Sequence, residues 1–157
     1  QVRAYMSVID AYAGAGLLTS MCAKRVKQAY GIEIIPQAVQ NANALAESNG
    51  LTNVQNICGD VVEVLPKLVK KVNAQECAII LDPPRKGCEP KVMQTVASFA
   101  PEKIVYVSCN PQTLARDIQE FFKSAKQKYT LQFVQPYDMF PQTGHVETVA
   151  VLVKNQK

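Results

Sequence analysis

The sequence predicts an α/β fold with a mostly parallel, seven-stranded sheet, one antiparallel edge strand and helices on both faces. Short β-branched apolar runs alternate with segments of helical periodicity, which is typical of a parallel sheet with crossover helices. Strand–helix units repeat along most of the chain. The final two strand patterns, near 131–137 and 146–154, have no helical pattern between them, so we expect them to pair antiparallel at one edge.

The elements follow from local patterns along the chain. We predict strands at 7–12, 28–33, 54–58, 77–81 and 103–108, and helices at 17–25, 36–49, 61–70, 90–99 and 111–125. Pro36 suits the first position of a helix, and Gly50 suits its end because glycine adopts the left-handed conformation without strain. The run 77–81 is short and wholly apolar, so we expect it to be a central strand.

The composition limits the classes of protein to which this chain can belong. A chain of 157 residues with 48% hydrophobic residues fits one globular domain, and no apolar stretch is long enough to span a membrane. The five cysteines are scattered without a C-x-x-C pair, which argues against a disulfide framework or a metal site and favours a cytoplasmic protein. The net charge of +4 permits an anionic partner without requiring one.

Cys109 follows the apolar run 104–107 and precedes Asn110 and Pro111, so it lies where a buried strand should end. The carboxyl ends of strands in open α/β sheets are where ligands bind. A buried cysteine is more often an inert hydrophobe, and from this residue alone both interpretations stay open.

A candidate nucleoside site comes from the segment Asp10 to Gly16, where glycines follow the first strand and permit close approach of a ligand. Tyr12, Gly14 and Gly16 belong to this segment. Glu33 ends the second strand, where an acidic side chain can accept hydrogen bonds from ribose hydroxyls. Asp60 fits a helix N-cap better than a contact with adenine, although one residue can do both.

Two further carboxylates are candidates. Asp82 follows the central strand and precedes two prolines, which restrict the backbone and hold the carboxylate in place. Glu147 leads into the apolar run 149–153, and partial burial there would raise its pKa toward that of a general base, although an edge-strand charge is the simpler interpretation. His145, the only histidine, has no role that the pattern assigns.

Four segments together resemble the RNA uracil-C5 methyltransferases, which make 5-methyluridine in tRNA and 23S ribosomal RNA. They are Asp10 to Gly16, Leu81 to Gly87, Ile104 to Asp117 and Asp138 to Thr148. The resemblance implies the Rossmann-like fold of class I methyltransferases, S-adenosyl-L-methionine as the cofactor and RNA as the partner. We also expect a monomer without a metal ion, whose N-terminal RNA-binding part lies outside this chain.

The resemblance also implies roles for single residues. Cys109 would add to C6 of a flipped-out uracil, and Glu147 would remove the proton from C5 after methyl transfer. Tyr12, Glu33 and Asp82 match cofactor positions of the family. We expect 23S rRNA rather than tRNA as the substrate.

Two other functions remain open on the sequence. An amino-group methyltransferase acting on adenine or glutamine also uses an acidic loop with two prolines, but it places an aromatic residue where this chain has Arg85. Such an enzyme needs no cysteine. A non-catalytic module that binds the cofactor or RNA is the second alternative.

Overall fold

The computed structural model describes residue 4 and residues 6–126, 128–139 and 146–155. Within them, five strands alternate with five α-helices, and a final pair of strands follows. The strands are β1 (Ser7–Asp10), β2 (Gln28–Glu33), β3 (Val54–Cys58), β4 (Cys77–Leu81), β5 (Lys103–Ser108), β6 (Tyr129–Tyr137) and β7 (Glu147–Lys154). The helices are α1 (Leu17–Ala23), α2 (Pro36–Ser48), α3 (Val61–Leu68), α4 (Pro90–Phe99) and α5 (Pro111–Ala125).

The strands form one sheet in the order β3-β2-β1-β4-β5-β7-β6. The first five strands are parallel, whereas β7 runs antiparallel to both β5 and β6. The predicted mostly parallel sheet with antiparallel pairing at one edge is therefore confirmed. The strand that runs against the others is β7, and it lies between β5 and the outermost strand, β6.

Helices cover both faces of the sheet, as predicted. Successive residues of a strand point to opposite faces, and Ile79 and Ala78 accordingly belong to two different apolar clusters. Ile79 packs with residues of α3, α4 and α5, and Ala78 packs with Ala23 of α1. All five residues of β4 are buried, and β4 is the middle strand, which confirms its predicted central position.

Predicted and observed bounds agree for β2, β3, β4, β5, α4 and α5. Helix α3 ends at Leu68 rather than at 70 and continues as a 3₁₀ turn over Val69–Lys71, with Pro66 inside its last turn. Strand β6 begins at Tyr129, two residues earlier than predicted. The Tyr129 ring packs edge-on against Phe121, with ring centroids 5.0 Å apart, and this contact holds the start of the strand.

The remaining differences are short. Strand β1 ends at Asp10 rather than at 12, although the Ala11 N–H still donates to the Ile80 carbonyl at 2.9 Å. Helices α1 and α2 end slightly earlier than predicted, and Gly50 follows α2 with the expected positive φ of 64°. None of the helices in the described part of the chain is long and apolar enough to cross a lipid bilayer.

Candidate active site

The candidate residues gather at the carboxyl edge of the sheet. Strands β1, β2, β4 and β5 are parallel, so the residues at their carboxyl ends meet at one edge. Asp10 and Glu33 end β1 and β2, and Asp82 and Cys109 follow β4 and β5. This is the edge at which open α/β sheets bind their ligands.

The antiparallel strand β7 brings Glu147 to the same edge. The register pairs Val107 with Val149 and ends with Ser108 opposite Thr148, so Cys109 directly follows and Glu147 directly precedes the last pair. Residues directly opposite each other in an antiparallel pair project from the same face. A thiol and a carboxylate that are far apart in the sequence therefore come next to the same residue pair, because β7 pairs with β5.

The backbone around Cys109 is fixed by its two neighbours. The Ser108 hydroxyl accepts a hydrogen bond from the Asn110 N–H at 3.0 Å. The Asn110 side chain accepts from the Gln112 N–H at 3.0 Å and caps α5, whose first residue is Pro111. Cys109 is a free, half-buried thiol directly before this cap, close to the positive end of the 15-residue helix.

Asp82 follows β4, which lies between β1 and β5 in the sheet. The residue is exposed to solvent, yet the surrounding protein desolvates the carboxyl enough to raise its pKa. The nearby carboxylate of Glu147 raises the pKa of Asp82 further. The charge of Glu147 thus disfavours the charged form of Asp82.

A cavity of about 420 Å³ opens beside these residues. It has the size of an ordinary small-molecule site. The sequence-predicted residues on its wall are Tyr12, Gly14, Glu33, Asp60 and Asp82. The wall also contains residues that sequence reasoning did not select, among them Ile34, Val61, Val62, Pro83, Lys86 and Glu89.

Glu33 is held by two backbone groups. Its carboxylate oxygens accept hydrogen bonds from the N–H of Gly14 and the N–H of Ile35, both at 2.9 Å. Gly14 has a φ of 53°, which favours glycine, and a Cβ built there would meet no protein atom within 4 Å. The Glu33 carboxylate is thereby oriented at the cavity wall beside backbone that carries no side chain.

Gly16 and Asp60 both have structural roles. A Cβ at Gly16 would lie 2.6 Å from the Cβ of Ala42, so this glycine permits α2 to approach the turn after β1. The Asp60 side chain accepts from the Val62 N–H at 2.9 Å, which confirms the predicted N-cap of α3. Asp60 lines the cavity as well, whereas its cofactor contact stays a prediction.

Tyr12 is half-buried at the cavity wall and packs against the main apolar cluster. Burial raises the pKa of its hydroxyl, and the neighbouring Cys88 thiol raises that pKa further. Burial likewise raises the pKa of Cys88 to about 12, so its thiol is protonated at neutral pH. Cys88 is consequently a structural neighbour of Tyr12 rather than a second nucleophile.

Sequence reasoning missed two buried carboxylates. Asp10 is 1% exposed and ends β1, and Asp117 is 3% exposed and lies within α5. The burial of Asp117 had a signal in the sequence, because Leu114, Asp117 and Phe121 share one helical face. An acidic residue on an otherwise apolar face indicates a buried polar contact.

His145 lies outside the described residues, so its role stays untested. The same holds for part of the segment Asp138 to Thr148 on which the resemblance depends. Among the residues that the structure describes, no group of three or more histidine, cysteine, aspartate or glutamate side chains is arranged to hold a metal ion.

Comparison with known proteins identifies a family that matches this chain. The family model described as tRNA (uracil-5-)-methyltransferase matches residues 3–155. An uncharacterized RNA methyltransferase of Clostridium acetobutylicum is 43% identical over 150 residues, which are 96% of this chain and 32% of that protein. Another, from Lactobacillus johnsonii, is 45% identical over 150 residues with the same coverage of each chain, 96% and 32%. The chain therefore spans about a third of the length of these relatives.

Solved structures agree on the fold. The tRNA (uracil-54, C5)-methyltransferase of Pyrococcus abyssi, in complex with S-adenosyl-L-homocysteine, has a TM-score of 0.77 and 29% identity, covering 97% of this chain and 35% of that one. An rRNA methylase from Streptococcus thermophilus, at 17% identity, has a TM-score of 0.74 over 99% of this chain and 90% of its own. The predicted Rossmann-like fold of class I methyltransferases is confirmed.

Proposed function

Because this chain belongs to the tRNA (uracil-5-)-methyltransferase family, we propose that it carries out methyl transfer from S-adenosyl-L-methionine to C5 of a uridine in RNA. The observation that carries the proposal is the register of β5 and β7, whose last pair, Ser108 and Thr148, has Cys109 and Glu147 as its immediate neighbours. Both residues lie at the sheet edge that also bears Asp82 and the cavity. A nucleophile, a base and a cofactor-sized space at one edge are what this reaction requires.

The cavity fits the adenosine part of the cofactor. The Glu33 carboxylate uses two of its acceptor sites on backbone N–H groups and retains others for ribose hydroxyls. Ile34 lines the cavity and is 57% exposed, so it offers an apolar contact for a purine. When bound, S-adenosyl-L-methionine supplies a methyl group on a positively charged sulfur. The complex of the Pyrococcus abyssi relative with S-adenosyl-L-homocysteine supports this assignment.

Cys109 performs the first step of the proposed reaction. Its thiolate sulfur forms a bond to C6 of the uracil, and the electron pair of the C5–C6 double bond moves toward C5 and the O4 carbonyl. C5 thereby becomes a carbon nucleophile, which unmodified uracil does not offer.

Glu147 performs the last step. Once C5 carries the methyl group, it still bears its original proton, which a base must remove. The Glu147 carboxylate takes that proton, the C5–H electrons re-form the double bond, and the bond between Cys109 and C6 breaks. The thiolate is then regenerated. Glu147 and Cys109 act on neighbouring ring atoms, and their positions next to the Ser108–Thr148 pair support these roles.

The target base has to leave its stack to reach Cys109, as it does for other enzymes that modify bases. The net charge of +4 is modest for a protein that binds RNA, since affinity for nucleic acid comes largely from phosphate contacts. We therefore propose that most RNA contacts belong to sequence outside the region that this chain shares with its longer relatives.

Trapping with 5-fluorouridine RNA tests the nucleophile. Fluorine at C5 cannot leave as a proton does, so the adduct between Cys109 and C6 should accumulate when the full-length protein is incubated with cofactor. We expect a covalent complex on a denaturing gel, none with Cys109→Ala, and an unchanged amount with Cys58→Ala, another free cysteine. A complex that persists in Cys109→Ala would refute the covalent mechanism. Full activity of Cys109→Ser would favour the amino-group methyltransferase.

A second variant separates the base from the nucleophile. Glu147→Gln should still form the bond to C6 and accept the methyl group on unmodified RNA, but it should release product more slowly by a factor of about 100 or more. Mass spectrometry of the trapped species should find the methylated adduct. Rapid turnover by Glu147→Gln would assign the base elsewhere.

The preference for 23S rRNA over tRNA stays a prediction. The names of the curated relatives give RNA without its kind. Mass spectrometry of both RNAs from a strain that lacks the gene should show loss of 5-methyluridine from 23S rRNA and retention in tRNA; the opposite result would make tRNA the substrate.

A further inference from the structure

The loop between β4 and α4, residues 82–89, forms a large part of the cavity wall. Asp82 and Pro83 follow β4, and Lys86, Gly87 and Glu89 continue the wall toward α4. A loop of this kind needs attachments elsewhere if Asp82 is to keep a fixed place relative to Cys109. The attachments come from α5, the helix that begins directly after Cys109.

Asp117 of α5 is the centre of these attachments. One carboxylate oxygen accepts hydrogen bonds from the Cys88 N–H at 2.7 Å and from the Tyr106 hydroxyl at 2.5 Å. The other accepts from Arg116, whose Nε and Nη2 lie at 2.8 and 2.7 Å. Asp117 is 3% exposed, so these donors rather than water satisfy its charge.

The same helix holds the loop at two further points. Nη2 of Arg116 donates to the Lys86 carbonyl at 2.8 Å while it pairs with Asp117. The Arg85 carbonyl receives longer hydrogen bonds, both of 3.4 Å, from the side chains of Asn110 and Thr113. The loop backbone is therefore fastened to α5 over successive residues.

Gly87 shows how close the two elements lie. Its φ is 82°, and a Cβ built there would lie 2.5 Å from Arg116 Nη2 and 2.5 Å from Asp117 Oδ2. A side chain at this position would collide with the carboxylate and guanidinium that hold the loop. The backbone of the loop has thus been brought against Asp117 as closely as a glycine permits.

We propose that Asp117 is a positioning residue that fixes the β4–α4 loop on α5 and so sets the place of Asp82 and the cavity wall relative to Cys109. One rigid helix, α5, positions both Cys109 and the loop, because Cys109 directly precedes its cap and Asp117 lies within it. Small misplacements of reacting groups cost large factors in rate. The proposal rests on the proposed function for its catalytic consequence, but the attachment of the loop can be measured without any activity.

The test compares Asp117→Asn with Tyr106→Phe in the full-length protein. Asparagine keeps the shape but not the charge that holds the Cys88 N–H and Arg116. Tyr106→Phe removes a buried hydrogen bond of the same carboxylate and the contact of the Tyr106 hydroxyl with the Cys88 side chain. It leaves in place the hydrogen bonds of Asp117 and Arg116 with the loop backbone. Both variants should lose stability, so a merely structural role predicts similar behaviour.

We expect amide hydrogen exchange at 86–88 to accelerate about tenfold or more in Asp117→Asn and to change little in Tyr106→Phe. The kcat of methyl transfer should fall by a factor of about 10 to 100 in Asp117→Asn, with the KM for RNA nearly unchanged. Tyr106→Phe should retain kcat to within about threefold.

Equal exchange in the two variants would overturn the proposal, and so would faster exchange without a selective fall in kcat. A wild-type protein that transfers no methyl group to uridine would instead refute the proposed function. The exchange data alone would then decide whether Asp117 fastens the loop.

Discussion

Asp10 should make the stability of the protein depend on pH in a direction opposite to that of most carboxylates. It is 1% exposed; one oxygen accepts from the Thr19 hydroxyl at 2.7 Å, and the other finds no hydrogen-bond donor among the described residues. Burial raises the pKa of Asp10 from 3.8 to about 6; the Thr19 hydroxyl opposes this shift, and the charge of Asp82 adds to it. The folded state therefore favours the protonated form.

The magnitude follows from this shift. One pKa unit corresponds to about 1.4 kcal/mol, so a rise from 3.8 to about 6 amounts to about 3 kcal/mol. Because the folded pKa is raised, this contribution is fully present below pH 3.8 and is lost as the pH rises through about 6. At neutral pH the folded protein bears the full cost of the buried charge.

Asp10→Asn removes the titration, so urea unfolding at several pH values measures it. The free energy of unfolding of Asp10→Asn minus that of the wild type should rise by about 2.4 kcal/mol between about pH 4 and pH 7, which is most of the full shift. A constant offset from the new amide does not affect this slope. Asp138→Asn, at an exposed position, is the matched control. A difference that stays flat over this range would refute the reasoning.

Two other positions give further tests. Gly16→Ala should lower the free energy of unfolding by about 2–4 kcal/mol, because the new side chain is strained at φ 80° and also collides with Ala42. Adding Ala42→Gly should restore only the part of the loss that is due to the collision. A full restoration would argue against backbone strain. Asp60→Ala should cost about 1 kcal/mol through loss of the α3 cap, whereas Asp60→Ser should not. If Asp60 also contacts the cofactor, both of its variants should bind S-adenosyl-L-homocysteine more weakly by isothermal titration, and unchanged binding would leave it a cap alone.

The sequence predicts the fold well where local chemistry decides the outcome. Prolines at the first helical position mark the starts of α2, α4 and α5, and uninterrupted apolar residues mark β4. The sequence predicts the fold less well where packing decides the outcome. The start of β6 depends on the contact between Tyr129 and Phe121, and the local sequence pattern around either residue does not reveal that contact.

The site shows the same division. The segments that bear Cys109, Asp82 and Glu33 could be assigned to strand ends from local patterns alone. The position of Cys109 and Glu147 next to one β5–β7 pair could not be predicted in this way, because it requires β7 to insert beside β5 rather than beyond β6. The connection between Asp117 and the β4–α4 loop depends on tertiary approach, which the sequence signals only through an acidic residue on a buried helical face.

The antiparallel placement of β7 also determines where this chain can tolerate changes in length. Its paired residues align with β5 from Thr148 opposite Ser108 to Val153 opposite Lys103. Inserting one residue within that stretch would turn the side chains on one side of the insertion to the other face. Residues added between Tyr137 and Glu147 would leave the pairing of β7 with β5 intact. The length of β7 itself should therefore stay constant in natural and engineered variants of this chain.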